Sequence, residues 1–405
     1  MNRKTLLALA LIIFILTTSF YAFKNRTFSP EKTNDIAASS PGNLSRVRVV
    51  SMYESVTDRY RDIDSAANLF ADTKTEYIHR GFYRHTSNFE LKSPTERRSP
   101  DVYEVLKSYI ATIKNKNPGI IFGAAIPAQQ ISAVEHDPVT DEIIPREKTW
   151  EMVIDPQKYG LDMTKEEAQK KYSENAGTDM YFPDITNPDF QKLFLDITKK
   201  EIDSGADAIW IDGLFAQANA LTRLSGDRNN PGVRSAYEAS STIVDEIHKY
   251  GNSKGKYIYV GSWDTTDFPY PAPKLDYVTA WISQEEIRNK KPDEAKWNEE
   301  KRRVREKYGD VPVIAVIDWA FHTDTPLGVF SQSMSKDEAG QVLRNFDSYF
   351  KENGILFAYP LHGGFMGWEA TRLSSGKSKT YDSLAPEFDT YETIRELSQK
   401  KAEGE

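Results

Sequence analysis

Acidic side chains directly follow several apolar segments of this chain. Asp212 ends the segment ADAIWID, Asp318 ends VPVIAVID, and Asp264 comes after KYIYVGSW. Two carboxyl groups that flank a glycosidic bond can cleave it, one as the proton donor and the other as the nucleophile or as a base that activates water. Carboxylates that directly follow expected strands are therefore the first candidates for acid–base or nucleophilic chemistry.

A helix and a buried strand precede Asp212. Asn187 suits the N-cap of a helix, Pro188 its first position and Gly205 its C′ position. Residues 206–211 carry apolar side chains on both faces, as strands of a parallel sheet do. A carboxylate placed directly after such a strand costs free energy unless it is paired or exposed. Asp212 is therefore a candidate site residue, and a turn cap or an arginine's partner is the structural alternative.

Strand and helix signals alternate eight times from residue 46 onward. The segments expected as strands are 47–53, 76–83, 119–126, 206–212, 256–263, 275–282, 311–318 and 355–361. The segments expected as helices are 60–72, 99–115, 188–204, 233–250, 284–308 and 336–352, while the Pro-rich link 268–274 is too short for one. This order predicts an α/β protein, a (β/α)8 TIM barrel. A doubly wound open sheet is disfavoured because no Gly-rich phosphate loop follows the first strand.

A long insertion of about 60 residues separates the third strand from the helix at 188. It carries Trp150, Tyr159, Tyr172 and Tyr181. Because this aromatic content argues against disorder, we expect a wall or lid over the barrel mouth, with a small structural subdomain as the alternative. Residues 386–400 are expected to form a last, mostly polar helix, a candidate to close the bottom of the barrel.

The composition excludes several classes of protein. The net charge is −8 and no large basic cluster is present, which argues against a nucleic-acid partner. The chain has no cysteine, so disulfides, thiolate metal sites and cysteine nucleophiles are excluded. No His-Xaa-His or His-Glu-Xaa-Xaa-His spacing occurs, and neither a metal site nor a cofactor is predicted.

The N-terminal segment is not expected to belong to the barrel. Basic residues precede an apolar run within residues 1–23, which predicts an uncleaved signal-anchor, with a cleavable signal peptide as the alternative. Residues 24–45 predict a linker, 46–385 the catalytic barrel and 386–405 a C-terminal helix and tail. We therefore expect an exported protein that meets the membrane through its N-terminal segment only, or a secreted one if that segment is removed.

The helix start at Asp184 and the strand that ends at Asp212 resemble part of a known superfamily. Asp-Xaa-Thr-Asn-Pro followed by Gly-Ala-Asp-Ala-Ile-Trp-Ile-Asp-Gly is similar to the fourth βα unit of TIM-barrel glycoside hydrolases, of the polygalactosaminidase-like and α-glucosidase-like groups in particular. The resemblance implies that Asp212 is the nucleophile or base, and that the acid comes from the region of strand six, which Glu285 follows. The chain departs from the pattern there, because Ala280 and Trp281 stand where a strand-six carboxylate is most natural.

Three residues are candidates for the partner acid, in the order Asp318, Glu285 and Asp264. Asp318 ends strand seven in the way that Asp212 ends strand four. Each of the three could instead cap a helix or form an ion pair on the rim. Glu285 in particular stands at the start of an expected helix, where acidic side chains favour the helix dipole in any case.

Aromatic and hydrogen-bonding side chains at the strand ends predict sugar binding. The C–H face of a pyranose is apolar and packs on aromatic rings, while its edges carry hydroxyl groups. The predicted substrate-binding residues are Arg80, Asp264, Trp263, Trp281, Trp319, Tyr359 and His362. Each tryptophan could equally serve packing, and the glycines after His362 suit either a close approach to a ligand or an ordinary turn.

Taken together, the residues and the resemblance to TIM-barrel glycoside hydrolases predict an exported, membrane-tethered glycoside hydrolase that acts on an extracellular polysaccharide or glycan. A different class remains as the alternative: a TIM barrel that binds cell-surface carbohydrate without cleaving it. A lyase or aldolase-type barrel is disfavoured, because no lysine stands at the end of an expected strand.

Overall fold

The computed structural model describes residues 44–58, 60–84, 101–173, 179–263, 268–318 and 322–404. Contacts divide the chain into the units Met1–Ala38 and Ser39–Glu405, and all described residues belong to the second. The predicted signal-anchor and nearly all of the predicted linker lie outside the described residues. None of the helices in the described ranges is long and apolar enough to cross a bilayer.

Eight parallel strands form a closed barrel. Their bounds are β1 Val50–Tyr53, β2 Tyr77–Tyr83, β3 Ile121–Pro127, β4 Ala208–Asp212, β5 Tyr259–Trp263, β6 Tyr277–Trp281, β7 Val313–Val316 and β8 Leu356–Phe365. Each strand is hydrogen-bonded to the next one of the series, and β8 also pairs with β1. The predicted (β/α)8 barrel is confirmed.

Helices surround the barrel and also occupy the insertion. The α-helices are α1 Ile63–Asp72, α2 Asp101–Lys116, α3 Arg146–Glu151, α4 Lys165–Tyr172, α5 Pro188–Asp203, α6 Ala216–Ser225, α7 Pro231–Ser253, α8 Gln284–Asn289, α9 Glu294–Tyr308, α10 Lys336–Glu352 and α11 Tyr391–Glu403. Shorter helical turns lie at Leu44–Arg46, Pro156–Tyr159, Pro326–Gly328 and Val329–Ser333. In the described part of the link between β5 and β6, which starts at Phe268, there is no helix.

Local sequence determines where α5 begins and ends. The side chain of Asn187 accepts hydrogen bonds from the backbone N–H groups of Asp189 and Phe190, and Pro188 occupies the first turn. Gly205 ends the helix at φ 114°, a backbone conformation that residues with a Cβ rarely adopt. The predicted caps thus start and end α5, and β4 follows at once.

The segment 284–308, expected as one helix, forms the two helices α8 and α9. Lys290 takes a left-handed conformation at φ 53°, and Pro292 follows it. The side chain of Asp293 then caps α9 by accepting hydrogen bonds from two backbone N–H groups. The prediction of a single helix is wrong because a proline and a capping aspartate interrupt the apolar periodicity.

Strand β8 is longer than expected and runs to Phe365 rather than to residue 361. Its extension pairs in antiparallel fashion with a further strand, β9, at Thr380–Asp382. His362 therefore lies within a strand and not in a turn. The helix α6 is another element that the sequence pattern did not predict.

The barrel interior forms an apolar cluster of its own. Its members on the strands include Val50, Met52, Tyr77, Ala208, Trp210, Tyr259, Tyr277, Ile314, Val316 and Ala358. Leu44 and Val47, just before β1, are buried in the same cluster and close the bottom of the barrel. The C-terminal helix α11, a candidate for that role, instead packs on α10 with an ion pair between Lys401 and Asp347.

The insertion after β3 is a small folded unit in its described part. Two short antiparallel pairs join Ile131–Ser132 to Met180–Tyr181 and Glu135–His136 to Ile143–Ile144. Phe182 is buried in the main core. These contacts agree with the structural-subdomain alternative, and the role of the insertion as a lid stays a prediction.

Glu201 on α5 is fully buried without a partner. Neither of its carboxyl oxygens has a hydrogen-bond partner in the described structure. Burial raises the pKa of Glu201 well above its usual value, and the charge of Arg84 opposes this only in part. Because the unfolded chain releases this proton more readily, the group costs stability as the pH rises.

Replacing Glu201 with methionine is expected to stabilise the protein at pH 7 by about 1–3 kcal/mol, because methionine has a similar volume and no buried polar group that lacks a partner. Urea unfolding between pH 4 and 8 measures this, and the free energy of unfolding should fall less with rising pH in Glu201→Met than in the wild type. Glu104→Met, at an exposed position of α2, is the matched control. A variant less stable than the wild type at pH 7 would contradict the assignment.

Candidate active site

Asp212 is the last residue of β4, and three side chains hold its carboxylate. The hydroxyl of Tyr83 and the amide Nε2 of Gln129 donate to Oδ2 at 2.7 and 2.8 Å. The indole Nε1 of Trp263 donates to Oδ1 at 2.8 Å. Burial, and next the charge of Asp212, raise the pKa of Tyr83 well above its usual value, so the phenol keeps its proton. The carboxylate is thereby fixed in one orientation at the carboxyl end of the strand.

Arg80 and Asp318 form a buried ion pair across the barrel mouth. Two guanidinium nitrogens donate to the two carboxylate oxygens at 2.7 and 3.1 Å, with the side chains 1% and 8% exposed. The guanidinium carbon also lies 4.2 Å from the ring centre of Trp210. Burial by itself lowers the pKa of Arg80, but the charges of Asp318 and Glu54 outweigh it and raise this pKa. The mouth therefore contains a permanent positive charge.

A bulge in β2 directs Arg80 into the barrel. The register between β2 and β3 shifts between Ile78 and Phe82, and Arg80 has a left-handed backbone at φ 60°. Gly81 follows, and a Cβ at that position would come within 2.6 Å of the ring of Phe122. Strict alternation would send Arg80 to the outer face of β2.

Three tryptophans lie in sequence from the centre of the barrel to its rim. The ring centres of Trp210 and Trp263 are 5.1 Å apart, those of Trp263 and Trp281 are 5.0 Å apart, and both pairs meet edge to face. Trp281 is 56% exposed. The structure thus brings the predicted residues Trp263 and Trp281 together beside Asp212, while their role as sugar platforms stays a prediction.

A cavity of about 670 Å³ opens beside this aromatic series. It reaches from Gly213 and Trp263 past Trp281 to Glu300 on α9. Its volume lies within the roughly 300–1,000 Å³ that is usual for ligand pockets. Among the described residues, no group of His, Asp and Glu side chains is placed to hold a metal ion.

Glu54, at the end of β1, is a further acidic residue of the mouth. One of its oxygens accepts a hydrogen bond from the backbone N–H of Gly364 at 2.6 Å. A Cβ at Gly363 would come within 2.1 Å of the Cβ of Glu54. The glycines after His362 therefore permit the close contact between β8 and the start of the β1 loop, and this contact explains them without a ligand.

The structure places Glu285 away from the cluster around Asp212. Glu285 stands in the first turn of α8 with its side chain 63% exposed, 4.0 Å from Arg288. Its neighbour Glu286 is buried in a capping box with Ser283. The catalytic role predicted for Glu285 stays a prediction, and its position matches the helix-start alternative. Asp264 and Trp319 lie outside the described residues.

Two predicted binding residues do not face the mouth. Tyr359 is fully buried on the outer face of β8 and donates a hydrogen bond to Asp347 of α10 at 2.6 Å. His362 is fully buried, with Nε2 2.7 Å from Asp58 and Nδ1 3.6 Å from Asp382. Tyr359 thus stabilises the helix layer and His362 joins the β1 loop to β9, while the sugar-binding roles predicted for both residues stay predictions.

Sequence reasoning did not select Tyr83 or Gln129, the two partners of Asp212 other than Trp263. Strict alternation from Tyr77 already places Tyr83 on the inner face of β2, and the register shift sets it opposite Ala125 of β3, where its hydroxyl reaches Asp212. Gln129 stands just after β3, and only the pairing of β3 with β4 brings it to Asp212. The one sequence signal for Gln129 was its position as a polar residue three places after the predicted strand 119–126.

Comparisons with known proteins give a likeness of fold. No family model matches the chain, and no curated protein does. The glycoside hydrolase domain of PelA variant E218A from Pseudomonas aeruginosa aligns with 78% of this chain and 95% of its own, at 10% identity and a TM-score of 0.43. An alpha-galactosidase from Thermus thermophilus aligns at 14% identity and a TM-score of 0.41, over 77% of this chain and 58% of its own.

An alpha-amylase from H.orenii aligns with 88% of this chain and 81% of its own, at 13% identity and a TM-score of 0.48. This chain spans about three fifths of the length of the galactosidase that it matches. At these identities the likeness concerns the fold alone, so the roles of residues are argued from the site itself.

Replacing Arg80 with methionine is expected to destabilise the protein by about 3–5 kcal/mol, because it leaves the buried carboxylate of Asp318 without its partner. The double variant Arg80→Met, Asp318→Asn should recover part of this loss, since it removes the uncompensated charge. Urea unfolding at pH 7 measures both. A double variant no more stable than Arg80→Met would show that the ion pair is not the source of the effect.

The stability of the protein is expected to fall between about pH 6.5 and 9 because of His362. Burial lowers the pKa of His362, but the carboxylates of Asp382 and Asp58 outweigh it and raise this pKa to about 9. The folded state therefore binds this proton more tightly than the unfolded state, and the gain of about 3 kcal/mol is lost as the pH rises through 9. Unfolding measured from pH 6 to 10 checks this, with His362→Gln as the variant that should lack the fall.

Proposed function

We propose that this protein is a glycoside hydrolase that acts on an extracellular polysaccharide or glycan, with Asp212 as the nucleophile or base. The observation that carries the proposal is the carboxylate of Asp212, held by three donors at the barrel mouth beside a cavity with exposed tryptophan. Catalytic groups of TIM barrels collect at this end of the strands. The resemblance of the α5–β4 segment to the fourth βα unit of such hydrolases supports the same role.

The arrangement around Asp212 suits a carboxylate that reacts as an anion. Its three hydrogen-bond partners among the described residues all donate to it, and none of these contacts requires a proton on Asp212. Fixed donors also limit the motion of the attacking oxygen, so less ordering is required in the transition state. Asp212 therefore fits the nucleophile or base better than the proton donor.

Asp318, the first candidate for the partner acid, is poorly placed to donate a proton. A donor must present a proton to the leaving oxygen, whereas both oxygens of Asp318 accept hydrogen bonds from Arg80. Asp318 is suited to holding Arg80 in the mouth, and so to positioning rather than to proton transfer. Glu285 faces solvent at the start of α8, which leaves Asp264 as the third candidate.

Exposed aromatic surface at the cavity supports the proposed binding of a sugar substrate. Trp281 presents more than half of its surface to solvent, next to Trp263 and the cavity. Such rings can pack on the apolar face of a pyranose, whose hydroxyl groups then meet polar groups of the cavity wall. The apolar run in residues 1–23 supports an exported, tethered enzyme.

A carbohydrate-binding barrel without hydrolytic activity is the second candidate. The bidentate ion pair between Arg80 and Asp318 favours it, because it occupies one of the predicted catalytic carboxylates. The aromatic surface would serve binding in the same way. The two candidates differ in one property only, the release of new reducing ends.

Asp212→Asn is expected to lower hydrolysis at least a hundredfold, because the loss of a nucleophile or general base removes at least this factor. The measurement is the release of reducing ends from a panel of polysaccharides by the purified protein, with Asp245→Asn on the exposed face of α7 as the control. Circular dichroism must show that both variants are folded. Cleavage by Asp212→Asn at the wild-type rate would refute the role of this residue, and binding without cleavage in the wild type would favour the second candidate.

A further inference from the structure

The cavity beside Trp281 extends well beyond Asp212 and its donors. On one side it is lined by Leu214 and Phe215 after β4, and on the other by Lys296 and Glu300 of α9. Trp281 lies between these walls at the end of β6. Apolar and aromatic surface thus faces a small number of charged groups, as in pockets that bind a ligand in one orientation.

Glu300 has a buried oxygen that no hydrogen bond satisfies. Its side chain is 12% exposed, Oε2 lies 3.3 Å from a guanidinium nitrogen of Arg303, and Oε1 is buried without a hydrogen-bond partner in the described structure. Burial raises the pKa of Glu300 to about 7, against the attraction of Lys296. The exposed part of the Glu300 side chain lines the cavity, while Oε1 itself has no contact with solvent, and an unsatisfied buried oxygen costs free energy.

The ammonium group of Lys296 already has partners within the protein. Its ammonium group forms an ion pair with Glu286 at 2.6 Å and also donates a hydrogen bond to the backbone carbonyl of Trp281. Lys296 therefore fixes the backbone of Trp281 and balances the charge of Glu286. Glu300, one turn further along α9, lines the same cavity and pairs through Oε2 with Arg303, while its Oε1 has no hydrogen-bond partner in the described structure.

We propose that this cavity is a subsite for neutral, hydroxyl-rich sugar units next to the bond that Asp212 attacks. Trp281 supplies the aromatic face and Glu300 the hydrogen-bonding wall. The inference rests on the proposed function and deepens it, because it implies that substrates longer than two sugar units bind better. A carboxyl group offers hydrogen bonds to hydroxyls in either protonation state, whereas its ionised form repels the carboxylates of acidic sugars.

The contacts connect this subsite directly to Asp212. The indole N–H of Trp263 binds Asp212, and the Trp263 ring meets the ring of Trp281 at the cavity wall. A sugar unit packed on Trp281 is therefore separated from the attacking carboxylate by a single side chain. The cavity volume of about 670 Å³ gives room for more than the reacting unit alone.

The experiment compares kcat and KM for neutral oligosaccharides of two to six units, prepared from whichever neutral polysaccharide the wild type cleaves. Trp281→Ala and Glu300→Ala should raise KM for the longer oligosaccharides about 5- to 10-fold more than for the disaccharide, the effect of a lost hydrogen bond or ring contact. Glu300→Gln keeps a hydrogen-bonding group and should restore most of the affinity. Glu299→Ala, at an exposed position of the same helix, is the matched control.

Two results overturn the subsite. An equal rise in KM for short and long oligosaccharides would show that the cavity does not bind additional units. A fall in kcat for both Glu300→Ala and Glu300→Gln, with KM unchanged, would make Glu300 the proton donor instead. If the wild type cleaves nothing, the proposed function fails, and titration calorimetry with cello-, malto- and chito-oligosaccharides decides separately: weaker binding by Trp281→Ala supports the subsite, and no binding by the wild type refutes it.

Discussion

The ion pair between Arg80 and Asp318 is the constraint on which the barrel mouth depends. Two charges that are almost without solvent contact are tolerated only if each satisfies the other, and the bidentate geometry does this. The pair joins β2 to the end of β7, while the stacking of Arg80 on Trp210 adds β4. Side chains on three strands are thus held in one arrangement around a single guanidinium group.

This arrangement also sets the electrostatics of the mouth. The carboxylates of Asp318, Glu54 and Asp212 all act on the pKa of Arg80, so three acidic groups surround one fixed positive charge. A site with an excess of negative charge favours the oxocarbenium-like transition state of glycoside hydrolysis, in which positive charge develops on the sugar. The positive charge of Arg80 reduces the repulsion among these carboxylates in the folded protein, although Arg80 forms no hydrogen bond with Asp212 in the described structure.

Local sequence was a good guide where local interactions decide the structure. The caps of α5, the apolar strand β4 and the position of Asp212 at its end depend on neighbouring residues, and all three could be predicted. The inward position of Arg80 depends on a bulge, and the burial of His362 depends on Asp58, 304 residues away. Tyr359 shows the same limit, because a one-residue change in the phase of alternation moves a side chain to the opposite face of a strand.

The end of β6 shows how the mouth differs from the pattern that the α5–β4 segment resembles. At the end of β6, where the resemblance predicts a carboxylate, the chain has Ala280 and Trp281. Lys296 donates a hydrogen bond to the backbone carbonyl of Trp281, and the ring of Trp281 is exposed at this position. A proton donor must then come from another strand end. Asp318 is occupied by Arg80, and Glu285 faces solvent, whereas Asp264 directly follows Trp263, a hydrogen-bond partner of Asp212. Asp264, the third acid predicted from the sequence, lies outside the described residues, and its role as the proton donor stays a prediction.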